Sequence, residues 1–224
     1  MKYWYFFCLF CLIPSAFAAE STGIAIPEKN TQTFEEGKDY FSYSEPIEVD
    51  EKTDGKIIIQ SFFDYDCRNC SRVQDLLELY VQINVSHVLY LEYPIALKNN
   101  QFSARTFYAL QAVGRADVSD SLMFETMDER EYRKLSKMGS LTNWLEKKGV
   151  DGRTFKEMYD SDEINLAVQQ SIEMTEKYGV FTYPFVVING KYVLTNSTLY
   201  SDDYTFAVLD FLIQKIDAEM HPTH

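Results

Sequence analysis

Two cysteines separated by two residues, Cys67-Arg68-Asn69-Cys70, have the type and spacing to carry chemistry in this chain. A pair at this separation can close a small disulfide ring. It can also pass that disulfide to another dithiol, because a thiolate attacks a disulfide sulfur through a mixed intermediate. The flanking sequence favours that use. Upstream, Lys56 to Phe63 (KIIIQSFF) is a β-branched and aromatic run of the kind that forms a buried strand. Downstream, Val73, Leu76, Leu77, Tyr80 and Val81 recur at i, i+3, i+4, i+7 and i+8, which makes one face of a helix. This places Cys67 at a strand-to-helix junction, in the first turn of the helix. There the unpaired N–H groups and the positive end of the dipole favour thiolate over thiol. Cys70, one turn on, is expected to be the less exposed of the two and positioned to resolve a mixed disulfide.

Three other uses of the pair compete with exchange. A structural bridge this short closes a tiny loop and adds little stability. Zinc wants four ligands, and outside the first eighteen residues the chain has no second cysteine pair and only His87, His221 and His224. A cysteine–histidine hydrolase needs a partnered histidine. His87 precedes a strand without a companion motif, and the other two lie in the tail. Neither a metal nor an organic cofactor is required for exchange, because the disulfide itself carries the electrons.

Charge next to the pair bears on its strength. Asp64 and Asp66 disfavour a thiolate at Cys67, and Arg68 favours it. The balance suggests a Cys67 that is acidified, but held back by its two acids. A second element, Tyr183-Pro184, stands immediately before the apolar run Phe185 to Ile188. Alone, a proline there punctuates a strand. Beside a cysteine pair it suggests a cis peptide bond, whose neighbouring backbone would pair with an extended substrate.

The elements that must position these residues follow from the rest of the chain. It has 224 residues, 46% hydrophobic and 25% charged, enough to bury a sizeable core. Lys and Arg number 21 against 34 Asp and Glu, for a net charge of −13. That balance argues against nucleic acid as the main partner and against docking on anionic lipid. Met1–Ala18 (MKYWYFFCLFCLIPSAFA) has a short positive start, an apolar run and a small-x-small ending, the pattern of a secretory signal peptide cleaved after Ala18. Cys8 and Cys11 would leave with it. Residues 19–37 read as a flexible lead-in. Tyr40 to Val49 holds a first strand, and Val88 to Tyr93 another, stopped by Pro94. Helices are expected over Ser103–Arg115 and Ser119–Asp128, from an N-cap at Ser140, from a cap at Thr154, and along the stripe Ile164, Val168, Ile172, Thr175. Asn189-Gly190 marks a hairpin into Lys191–Leu194, and Ser201/Asp202 opens a last helix. The division expected is an α/β domain over 38–95 and 163–224, with a helical insertion at 96–162.

With SFFDYDCRNC opening a helix, the helical insertion, and GVFTYPFVVINGKYVL, the chain resembles the DsbA-type periplasmic thiol:disulfide oxidoreductases of the thioredoxin superfamily, from about Phe34 to Ala218. The resemblance implies an α/β thioredoxin fold with an inserted α-helical domain, a redox-active Cys67–Cys70 disulfide with Cys67 as nucleophile and Cys70 resolving, a cis Pro184, and substrate binding by Tyr183 and Pro184. It implies a monomer in the periplasm of a Gram-negative bacterium. Its partners would be reduced exported proteins and a quinone-linked membrane oxidase of the DsbB type. The departures from the best-known members are specific. Arg68-Asn69 replaces their Pro-His dipeptide, Ser61 stands where an acid often lies six positions before the first cysteine, and the residue before the proline is the larger Tyr183. With Asp64 and Asp66, Arg68-Asn69 is expected to tune the pair toward a milder oxidant. The other readings are the same fold run as a reductase or isomerase, and a non-redox binding or chaperone protein.

Overall fold

Strand β2 (Ile57–Phe63) is buried along its whole length, as its unbroken apolar run requires. In the computed structural model, which describes residues 33–49 and 53–221, β2 is the second-to-last strand of a five-stranded sheet ordered β1-β5-β4-β2-β3. The signal-peptide reading, Cys8 and Cys11, and residues 19–32 of the lead-in lie outside the described residues. β2 pairs in parallel with β3 (Val88–Pro94), with α1 (Cys70–Ile83) as the crossover. It pairs antiparallel with β4 (Phe185–Ile188), which turns back into β5 (Tyr192–Leu194). Asn189 and Gly190, at φ +51° and +65°, make that turn, as the Asn-Gly pair predicts. The first strand is shorter than expected: β1 is only Phe41–Ser42, paired with β5. The chain bends at Ser44-Glu45 and then returns to the sheet edge, where the Ile47 N–H donates to the Gly190 carbonyl at 2.8 Å.

The two faces of the sheet are covered differently. Ile57 and Ile59 pack with α1 and with α8 (Asp202–Met220). Phe62, on the opposite face, packs with Phe185, Val187 and Tyr178. Phe34, within the stretch read as lead-in, is buried in the first of these clusters, against Tyr204 and Phe211.

Between β3 and α7 (Asp162–Lys177) come five helices: α2 (Phe102–Ala112), α3 (Asp117–Glu125), α4 (Glu129–Leu135), α5 (Met138–Lys147) and α6 (Gly152–Tyr159). They pack around Leu110, Leu122, Leu141, Leu145 and Phe155, in a cluster that also takes in Phe63 of β2 and Ile164, Val168 and Ile172 of α7. The chain leaves the sheet at a clamped point. The Ser171 hydroxyl donates to the Pro94 carbonyl at 2.8 Å, and Thr175 accepts the Ala96 N–H at 3.2 Å. Two expected caps are corrected. Ser140 lies inside α5, whose N-cap is Lys137, and Thr154 lies inside α6, where Asp151 is the cap and accepts the Thr154 N–H at 2.7 Å. An aspartate one turn ahead outcompetes a threonine already in helical register. No described helix is long and apolar enough to cross a membrane.

Candidate active site

The cysteine pair sits where β2 ends. Cys67 and Cys70 are joined by a disulfide, with Cα atoms 5.4 Å apart. The helix opens at Cys70, with Asn69 as its N-cap, so Cys67 lies three residues ahead of α1 and not in its first turn. The delay has a local cause. Asp64 turns inward and its Oδ1 accepts the Asp66 N–H at 2.8 Å, folding residues 64–66 into a side-chain-held turn before the helix starts. The same oxygen accepts the Ser103 hydroxyl at 3.0 Å, and Ser103 in turn accepts the Tyr65 N–H at 3.0 Å. α2 therefore fixes the loop that carries Cys67.

Exposure differs from expectation. Cys67 is 2% exposed and Cys70 3%, so neither is the more open of the two. Both belong to the same buried cluster as Phe63, Tyr65 and the insertion helices. The two acids are unlike each other. Asp66 is exposed, and Asp64 is buried. Burial raises the Asp64 carboxyl above its ordinary range, against the lowering effect of the Asp66 N–H and the Ser103 hydroxyl. A raised Asp64 opposes a nearby thiolate less than a fully ionised one does. Arg68 and Asn69 are exposed, and the Arg68 guanidinium reaches Glu129 of α4 at 3.3 Å.

The second element lies at the same end of the sheet. The register pairs Phe62 with Phe185, which sets Pro184 across from the end of β2. The Tyr183-Pro184 peptide is cis, as its sequence context suggests. Pro184 is buried and Tyr183 is 38% exposed. The register brings Tyr183 to the end of β2, and its hydroxyl is pushed up by burial and by the charges of Asp64 and Asp66. Its carbonyl accepts the Asn196 side-chain amide at 3.2 Å, so that acceptor already has a partner. Tyr132, from α4, completes this side. It stacks edge-on against Phe102 at 5.9 Å and titrates high through burial and through Asp64, Asp66 and Tyr183.

Sequence reasoning missed a polar cluster one turn behind the disulfide. Gln74, at position +4 from Cys70 on α1, is buried, and its Nε2 faces three carboxylates: Asp120 at 2.9 Å, Glu78 at 3.3 Å and Glu92 at 3.4 Å. One amide nitrogen has two protons for three acceptors. Burial foremost, then the charges of Asp120 and Glu78, push the Glu92 carboxyl up to about 7. The signal was an acid inside the apolar run VLYLEY. Glu92 pairs in register with Ser61, the position where the family-type acid was missing.

A pH dependence follows. Folded Glu92 holds a proton that the unfolded chain releases near 4.5. Its contribution to stability is present below about pH 4.5 and is lost as pH rises through about 7. The Glu92→Gln variant should lack this decline. Unfolding free energies from urea titrations of both proteins, pH 4 to 8, should diverge by about 1–2 kcal/mol at the alkaline end, after allowance for screening at a half-buried site. Parallel curves would refute it.

These elements can be set beside known proteins. Residues 89–201 match the model of the DSBA-like thioredoxin domain. The chain belongs to that family. The match begins beyond the cysteines and spans Tyr183-Pro184, so the disulfide is the observation independent of it. An uncharacterized protein of Haemophilus influenzae is 54% identical over 194 residues, covering 87% of this chain and 83% of that protein. The thiol:disulfide interchange protein DsbA of Burkholderia cepacia is 26% identical over 80% of this chain and 84% of its own. The crystal structure of Pseudomonas aeruginosa DsbA superposes with a TM-score of 0.70 at 26% identity, covering 82% of this chain and 95% of that one. The DSBA-like chain has the α/β thioredoxin fold with its helical insertion, and is a thiol:disulfide oxidoreductase of the DsbA type.

Proposed function

We propose that this protein oxidises dithiols in exported proteins by handing over the Cys67–Cys70 disulfide. The observation that carries the reading is the closed Cys67–Cys70 pair at the C-terminal end of β2, beside the cis Tyr183-Pro184 bond. In the forward reaction a substrate thiolate attacks the Cys67 sulfur, forming a mixed disulfide and releasing the Cys70 thiolate. A second substrate thiolate then attacks the substrate sulfur of that mixed disulfide. It leaves as an oxidised substrate, and the protein keeps two electrons as the Cys67 and Cys70 thiols. In reverse, Cys70 resolves the mixed disulfide. The Cys67 thiolate is the better leaving group the more its surroundings stabilise negative charge. Arg68, Asn69, Asp64 and Asp66 are the groups that set this. Tyr183 and Pro184 receive the substrate segment. The division into residues 38–95 and 163–224 with an insertion at 96–162 is the corresponding domain reading.

The partners in this reading are reduced exported proteins and, for reoxidation, a quinone-linked membrane oxidase of the DsbB type. The setting is the periplasm of a Gram-negative bacterium, reached with a signal peptide cleaved near Ala18, and the working form is a monomer. An oxidising compartment is where such a disulfide persists.

The deciding measurement is the reduction potential of the pair against glutathione. A value between about −120 and −200 mV is expected, on the oxidising side but milder than the strongest oxidant of this type. A value near the ~−270 mV of thioredoxin would assign the protein as a reductant. Absence of exchange with glutathione would remove the redox reading altogether.

A further inference from the structure

Helix α4 of the insertion reaches the dipeptide between the cysteines through a single carboxylate. Glu129 Oε2 receives the Arg68 guanidinium at 3.3 Å, and its other oxygen, Oε1, receives Arg133 from the next turn of α4. One anion is thus held between two cations. One of the cations is the residue following Cys67, and the other anchors the carboxylate to the insertion. We propose that Glu129 is a positioning residue for the redox pair: it holds Arg68 toward the insertion and neutralises it, so that Arg68 stabilises the Cys67 thiolate less than its place in the sequence suggests. The inference rests on the redox reading of Cys67 and extends it to a residue 62 positions away in the chain.

The physical argument is one of charge near a buried sulfur. Cys67 is 2% exposed, so charges around it act through a medium less polarisable than bulk water. A cation beside the reduced Cys67 favours thiolate over thiol, which stabilises the reduced protein and raises its potential. An exposed ion pair adds little to folding stability. The potential, not the melting temperature, is therefore where Glu129 should register. Glu129 is held by Arg68 of the cysteine loop and Arg133 of its own helix, and Tyr132, three positions on along α4, feels the charges of Asp64 and Asp66 and the phenol of Tyr183. Removing the Glu129 charge leaves Arg68 and Arg133 without their shared counterion.

The test compares wild type with Glu129→Gln, Arg68→Gln and the double variant. Each is equilibrated with glutathione, and the Cys67 thiolate is titrated by its absorbance. Glu129→Gln should shift the redox constant about threefold toward the reduced protein, about 14 mV at 29.6 mV per tenfold. It should lower the thiolate midpoint by the same factor. Both shifts should shrink in 1 M salt, where the screening length falls to about 3 Å. In the Arg68→Gln background, removing Glu129 should change neither quantity. An unchanged potential in a folded Glu129→Gln protein overturns the inference. So does an equal shift with Arg68 absent, which would mean that Glu129 acts on the sulfur directly. Failure of the wild type to exchange with glutathione at all would be a separate outcome, and would strike the redox reading itself.

Discussion

Cys67→Ser should abolish disulfide transfer, and Cys70→Ser should leave a protein that captures a substrate and cannot release it. The two substitutions are nearly isosteric, and both remove the same bridge. In the chain-entropy picture a loop this small contributes at most about 2 kcal/mol, so both variants should fold. What differs is which sulfur remains. With Cys67 retained, its thiolate attacks a substrate disulfide and expels one substrate thiolate, forming a mixed disulfide whose resolving partner is gone, and covalent complexes should accumulate on a non-reducing gel. With Cys67 replaced, a serine hydroxyl can neither form a disulfide nor act as its leaving group. The transfer rate should drop to the uncatalysed level. Trapped complexes forming through Cys70 in the Cys67→Ser protein would reverse the assignment of roles. Full activity in that protein would instead favour the reading as a binding protein.

The second large effect is structural. Gly190→Ala should destabilise the protein by about 2 kcal/mol or more. Gly190 sits at φ +65°, and a Cβ built there would lie 2.0 Å from the carbonyl oxygen of Ile47. The left-handed conformation alone costs a side-chain-bearing residue about 1–2 kcal/mol. The carbonyl in the way is backbone, so the segment at 43–47 must move, and the Ile47 N–H would lose its 2.8 Å bond to Gly190. That bond is worth about 1 kcal/mol. Asn189→Gly is the comparison. Asn189 is also left-handed, at φ +51°, and glycine relieves that conformation, so this variant should stay within about 1 kcal/mol of wild type. A urea midpoint for Gly190→Ala equal to that of wild type would contradict the steric argument.

Most of this fold was legible because its signals are local. The run KIIIQSFF forms β2, the Asn-Gly pair forms the β4–β5 turn, and the stripe from Ile164 to Thr175 forms the buried face of α7. The cysteine pair and the cis proline were legible for the same reason, since each is a short pattern whose neighbours state its context. What escaped depends on contacts between residues far apart in sequence. The helix starts at Cys70 because Asp64 binds its own loop and Ser103 of α2 locks it there, and no periodicity in residues 67–83 carries that information. Asp64 and Asp66 looked equivalent on paper. Burial of one and exposure of the other separate their charges. Gln74, Glu92 and Asp120 belong to three different elements, and Arg68 meets Glu129 only because the insertion folds back over the cysteines. The caps were misplaced by one turn for a simpler reason. Serine and threonine also occur inside helices, and the N-cap ranking that places aspartate above threonine already favours Asp151 over Thr154.

The pairing of β2 with β4 has a consequence in time. Its register joins Ile59 to Ile188 and Phe62 to Phe185, so the middle of the sheet is stitched between the early and the late parts of the chain. A polypeptide made from its amino end presents Cys67 and Cys70 long before residues 183–194 exist to wall them in. Until Ile188 has emerged, β2 has only β3 as a complete partner strand. Such distant pairings close slowly. Through that interval the two thiols are open to whatever oxidant or partner is at hand, so this protein passes through its own biogenesis as the kind of substrate it is proposed to serve.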